Sequence, residues 1–307
     1  MKEIGGYFGL ERGVFTPYHD GVYLNSGRNA LQYIVRKLGI HKVHVPHYTC
    51  PVVFEALRRE NVGIEYYDLD EQFLPGKDFS KNDFVIYNNY FGVCGGKVAK
   101  LAKEYPNLIV DNAQAFYSRQ TGRAAFYSPR KFFGLPDGGI VCGLADESQE
   151  LPKDESWDRM THLLKRVDLG ASAGYEDFKA NSHVLAQQGV KRMSSLTTLL
   201  LSQIDCCDVA SRRTKNFNAL KAQLPTAFPI DMLEDDVPMV YPYITDDSRL
   251  RAYLVQNKIY VALYWPDVTD RSLFSERILP LPLDQRYDMP DIDTIILEVR
   301  KREAAML

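Results

Sequence analysis

An apolar run that ends in a carboxylate, followed twenty residues later by a lysine held among aromatics, constrains this chain more than any other feature. Leu108, Ile109 and Val110 form a continuously apolar segment closed by Asp111, the pattern of a strand buried on both faces of a parallel sheet. Open α/β sheets collect ligands at the C-terminal ends of such strands, so Asp111 is delivered to a binding edge. Lys131 lies in Ser128-Pro129-Arg130-Lys131-Phe132-Phe133-Gly134-Leu135-Pro136-Asp137-Gly138-Gly139, with prolines on both sides and glycines before the next apolar run, Ile140 to Cys142. That segment reads as a turn between two strands and not as a solvated helix face. Local sequence leaves a plainer reading open, because a strand-end Asp is often a helix cap and a loop Lys is usually solvated.

The rest of the chain repeats the pattern. Val43-His44-Val45-Pro46, Ile64 to Asp70 and Phe84 to Tyr87 read as further strands, separated by helices over Pro51 to Arg59 and Gly96 to Glu104. Short apolar strands alternating with helical segments of roughly ten residues predict an α/β fold, with a mostly parallel sheet and helices on both faces. Beyond Lys131 we expect a helix from Ser156 to Val167, a break at Gly170 to Gly174, and one long helix from Met193 to Leu224. A smaller α/β unit follows: a strand at Val240 to Ile244, a helix at Asp247 to Asn257, a strand at Tyr260 to Pro266 and a closing helix at Asp291 to Arg300. Residues 1 to 20 read as an irregular arm, and the expected division is a large domain over 1 to 210 and a small C-terminal domain over 211 to 307.

Composition removes several classes of function. A chain of 307 residues that is 45% hydrophobic can bury the core this arrangement needs. Its net charge of -3, with Lys and Arg scattered, leaves no electrostatic footprint for nucleic acid. No apolar run approaches the roughly eighteen residues of a membrane span. Met1 to Tyr7 lacks the apolar core of a signal peptide, so no membrane partner and a cytoplasmic location are expected. Five cysteines form no CxxC pair, which favours neither a zinc site nor a disulfide framework.

Upstream, Tyr23-Leu24-Asn25-Ser26-Gly27-Arg28-Asn29 leads into a helix with Leu31, Ile34, Val35 and Leu38 on one stripe. A Ser-Gly turn at a helix start can hold a phosphate on its free N–H groups, or Ser26 can simply cap the helix; local sequence rates the two equally. Arg28 in the first turn opposes the helix dipole, a sign that a bound anion would reverse. A strand-end carboxylate and a lysine in a turn are the two groups that pyridoxal phosphate (PLP) needs, one to keep its pyridine nitrogen protonated and one to form the Schiff base.

At these residues the sequence resembles the sugar aminotransferases of the DegT/DnrJ/EryC1/StrS group, built on the fold type I PLP scaffold. Asp111-Asn112-Ala113-Gln114 resembles the motif whose Asp pairs with the pyridine nitrogen, and Pro129-Arg130-Lys131 the motif whose Lys carries the cofactor. Ser26 to Leu31 and Ile278-Leu279-Pro280-Leu281-Pro282-Leu283 are two further matches, so the resemblance spans nearly all of the chain. It implies that Gly27, Arg28 and Asn29 bind the PLP phosphate, that Gln114 lies by the ring or its 3-hydroxyl, and that Tyr264-Trp265 lies near the substrate. The expected partners are a nucleotide-sugar substrate, an amino-acid donor such as glutamate, and a second copy in a homodimer.

Three positions depart from the family pattern. The ring-stacking aromatic falls on Cys50, so Tyr48 would have to reach the ring; a phosphate-binding Ser falls on Phe126; and the Asn that contacts the partner subunit's phosphate falls on Val190. Arg28, Arg130 and Ser128 are candidates to compensate. The reading carried forward is a PLP-dependent aminotransferase acting on a nucleotide-linked sugar. Its alternatives are a PLP-dependent sugar dehydratase and a fold type I protein that has lost catalysis and only binds a ligand or partner.

Overall fold

The computed structural model describes residues 10, 11, 13, 15 to 265 and 277 to 305. In chain order its first half is β1 (Val22–Leu24), α1 (Gly27–Leu38), β2 (Lys42–Pro46), α2 (Pro51–Arg59), β3 (Gly63–Tyr67), β4 (Val85–Asn88), α3 (Gly95–Glu104), β5 (Leu108–Asn112), β6 (Ala124–Tyr127) and β7 (Gly139–Cys142). These seven strands make one sheet in the order β1-β7-β6-β5-β4-β2-β3. Strands β3, β2, β4, β5 and β6 run parallel, whereas β7 pairs antiparallel with both β6 and β1. The mostly parallel α/β sheet expected from the sequence is therefore present.

Period-two alternation divides the core into two layers. Ile109, Phe126 and Val141 point to the side covered by α1 and α2, with Leu31, Ile34 and Val45. Leu108, Val110, Ala125 and Tyr127 point to the opposite side, which α3 and the C-terminal helices cover. Asp111 has the parity of Ile109, so its carboxylate emerges on the α1 side.

The second half contains α4 (Thr161–Leu169), α5 (Tyr175–Gln187), α6 (Ser195–Ser202), α7 (Cys206–Gln223), β8 (Tyr241–Ile244), α8 (Leu250–Gln256), β9 (Ile278–Leu281) and α9 (Met289–Ala304). Two expectations are corrected here. The single helix from Met193 to Leu224 is two helices, because Asp205 accepts from the backbone N–H groups of Cys207 and Asp208 and starts α7 afresh. No strand forms over residues 260 to 265, and Pro266 lies outside the described residues. The antiparallel partner of β8 is instead β9, the Ile278 to Leu281 run. Trp265 packs edge-on against Tyr48 at 4.8 Å between ring centroids, and Tyr264 lies over Phe91, so both are core contacts. Among the described residues no helix is long and apolar enough to cross a membrane, and no His, Cys, Asp and Glu cluster could hold a metal ion.

Candidate active site

Asp111 and Lys131 line one cavity of about 230 Å³, between the C-terminal ends of β5 and β6 and the start of α1. Asp111 is buried, and its Oδ1 accepts the Ala113 N–H at 2.8 Å. Burial pushes its carboxyl above the ordinary aspartate range, while the Lys131 ammonium and the Ala113 N–H pull it back. Lys131 ends a short 3₁₀ turn, Pro129–Lys131, closed by its own N–H donating to the Ser128 carbonyl at 3.0 Å. Its side chain is exposed and stands where two cavities meet, since it also lines a second one of about 400 Å³.

The start of α1 forms the opposite wall. Ser26 is a true N-cap, its Oγ accepting the Asn29 N–H at 3.2 Å. Strand β7 passes so close that a Cβ on Gly139 would sit 2.2 Å from the Ser26 carbonyl oxygen, and this contact seats the helix start at the sheet edge. Gly27, Arg28, Ser128 and Arg130 line the same cavity. Arg28 pairs with Glu55 at 3.0 Å through one terminal nitrogen, leaving its buried Nε without a partner. Burial lowers Arg130 to about 10 despite the opposing charge of Asp137.

Other residues expected at the site lie elsewhere. Tyr48 is 2% exposed and packs in an aromatic cluster with Tyr90 and Trp265, and Cys50 lines the cavity in its place. The Asn29 amide is turned away from the cavity, donating to Asn25 Oδ1 at 2.8 Å and to the Gly189 carbonyl at 2.7 Å. Gln114 accepts the Phe91 N–H at 3.0 Å and leaves its buried Nε2 unpartnered; it is not among the lining residues. Phe126 lines the cavity where the resemblance puts a Ser. Val190 is buried in the layer under α1, and the following residues run beside β1, with Leu24 bridged to Arg192. Ser182 and Leu185 of α5 complete the wall. No local signal marks them, because a helix seventy residues downstream reaches the site only through the fold.

The sequence matches no family model and no curated protein. Solved structures match over nearly the whole chain. An aminotransferase, TlmJ from Streptoalloteichus hindustanus, superposes with a TM-score of 0.65 at 17% identity, covering 94% of this chain and 86% of its own. Spr1654 from Streptococcus pneumoniae, described as a sugar aminotransferase and solved in its PMP form, gives 0.64 at 14% identity, covering 94% and 88%. A DegT DnrJ EryC1 StrS aminotransferase from Brucella abortus gives 0.57 at 16% identity, covering 92% and 85%. The chain therefore has the fold of the DegT DnrJ EryC1 StrS aminotransferase structures, the fold type I scaffold.

Proposed function

We propose that this chain is a PLP-dependent aminotransferase that moves an amino group, from a donor such as glutamate, to a keto group of a nucleotide-linked sugar. One observation carries the reading: a buried strand-end carboxylate, an amine in a turn and an N-capped helix start line a single cavity. The residues fit the cofactor. Asp111 would hold the pyridine nitrogen, Lys131 would supply the amine, and Gly27, Arg28, Ser128 and Arg130 would receive the phosphate, the buried Arg28 Nε being a donor in need of an acceptor. Cys50, Phe126 and Val53 offer an apolar surface to a flat ring.

When bound, PLP supplies an electron sink for moving nitrogen between an amine and a ketone. With the cofactor bound, the buried Asp111 carboxylate would keep a proton on the ring nitrogen. Lys131 Nζ would be the base that takes and returns the proton at the substrate carbon, and it lines both cavities. Arg28 and Arg130 would orient the phosphate end through charge-assisted hydrogen bonds. Retention of Lys131 favours transamination over dehydration. A homodimer belongs to the same proposal, because α4 and α5 carry the exposed large apolar side chains Leu164, Val167, Leu169, Tyr175 and Phe178 near the larger cavity, which a second copy would cover. Titration with PLP, followed by visible absorbance in the wild type and in Lys131→Ala, tests the proposal.

A further inference from the structure

Helix α5 walls the cavity that Asp111 and Lys131 share. Its Ser182 and Leu185 line that cavity together with Gly27, Arg28 and Ser128. Leu185 is buried; Ser182 is half-buried, and its hydroxyl makes no hydrogen bond among the described residues. Three sets of bonds hold α5 against the same protomer. Asn181 Nδ2 donates to the Pro136 carbonyl at 2.8 Å, in the segment that follows Lys131. Arg59, the last residue of α2, donates to the Ala186 carbonyl at 2.7 Å. Past the end of α5, Asn25 Nδ2 donates to Gln188 Oε1 at 3.1 Å and to the Gly189 carbonyl at 3.2 Å, and Asn29 Nδ2 donates to that same carbonyl at 2.7 Å. Asn25 and Asn29 are fully buried, and side-chain amides at that depth are costly to leave unpaired.

A second, independent feature is how the chain leaves and returns. The segment after β7 and the segment before α6 are bonded to each other: the Arg192 N–H donates to the Pro152 carbonyl and the Asp154 N–H to the Arg192 carbonyl, both at 2.9 Å. The buried Asp154 carboxylate also pairs with Lys191 Nζ at 3.2 Å. Helices α4 and α5 are thus an excursion that leaves and re-enters one protomer at a single place, beside β1, where Leu24 bridges Arg192. Val190, where the family pattern has an Asn that reaches a partner subunit's phosphate, is buried under α1 instead.

We propose that each cofactor cavity is closed by α5 of its own protomer, with the Ser182 hydroxyl supplying, from within the chain, a donor to the phosphate end that the family pattern takes from a second subunit. A second copy then covers the apolar side chains of α4 and α5 without lining this cavity. The identity of the ligand rests on the aminotransferase reading; the placement of α5 within its own chain does not. Arg59→Cys combined with Ala186→Cys, in a Cys207→Ser background and treated with a short bismaleimide, tests the placement without cofactor. The expected product is a bridge between residues 59 and 186 of one chain, which leaves the denatured protein at monomer mass. A covalent dimer joined through these two positions, or no such bridge, overturns the proposal. Ser182→Ala is expected to weaken PLP about fivefold in a fluorescence titration while the cofactor-free protein melts as wild type. Wild-type affinity in that variant overturns the role of Ser182. If the bridge forms within one chain but the wild type binds no PLP, the placement of α5 stands and the aminotransferase reading falls.

Discussion

Asp111 and Phe126 stand opposite each other on adjacent parallel strands, and both line the cavity that Lys131 borders. Both side chains are buried, and burial dominates the upward shift of the Asp111 carboxyl.

That shift has a sign in stability. A carboxyl raised above its unfolded value stabilises the fold most when protonated, and the contribution is lost as pH rises through the folded value. Asp111→Asn removes this dependence, so the cofactor-free variant should melt higher than wild type at pH 7, with the gap closing at acid pH. Transamination by the same variant should fall by a factor on the order of 10² to 10³, the cost of losing one preorganised electrostatic contact. Thermal melts across pH and a coupled assay check both; equal melting at neutral pH would count against the burial argument.

Arg28 is held by Glu55, whose side chain is 47% exposed, so releasing the guanidinium to a phosphate costs little. Arg28→Gln should weaken PLP about tenfold by fluorescence titration. Glu55→Gln should bind PLP at least as tightly as wild type. Unchanged affinity in Arg28→Gln removes the arginine from the phosphate site.

Arg213 ties α7 to the segment before β8 and to Gln285, which itself donates to the Phe132 carbonyl at 2.7 Å next to Lys131. Arg213→Met leaves buried carbonyls unpaired and should cost about 2 to 4 kcal/mol in urea denaturation. A variant as stable as wild type would show that relief of the buried cation offsets those lost bonds.

The exposed apolar side chains of α4 and α5 give a separate prediction. Val167 is 84% exposed and Leu169 69%, so Val167→Lys combined with Leu169→Lys should leave the fold intact and yield a monomer by light scattering, with the wild type dimeric. A monomeric wild type contradicts the homodimer.

What was legible in the sequence followed from local physics. The run from Leu108 to Asp111 reads as a buried strand because it is short, continuously apolar and rich in β-branched residues, and the prolines and glycines around Lys131 favour a turn. Helices α2, α3 and α9 lie close to their expected spans for similar reasons, Pro51 starting one and Asp288 with Asp291 forming the capping box of another. Contacts set by the fold were not legible. A single Asp205 side chain splits an otherwise continuous helical stripe, and β8 chooses its partner from residues beyond the segment next in sequence. Tyr48 and Cys50 are two residues apart, and which of them reaches the cavity depends on how the loop enters α2. Arg130, Arg166, Arg213 and Arg286 line the larger cavity from four separate segments, each of which alone reads as ordinary surface charge.

The most direct test of the central claim is the visible absorption spectrum of the purified protein with added PLP, for the wild type and Lys131→Ala. The account predicts a protein-bound cofactor band in the wild type that glutamate bleaches, and its absence in the variant. A wild type that binds no PLP, or a variant whose band is the same as the wild type's, would contradict it.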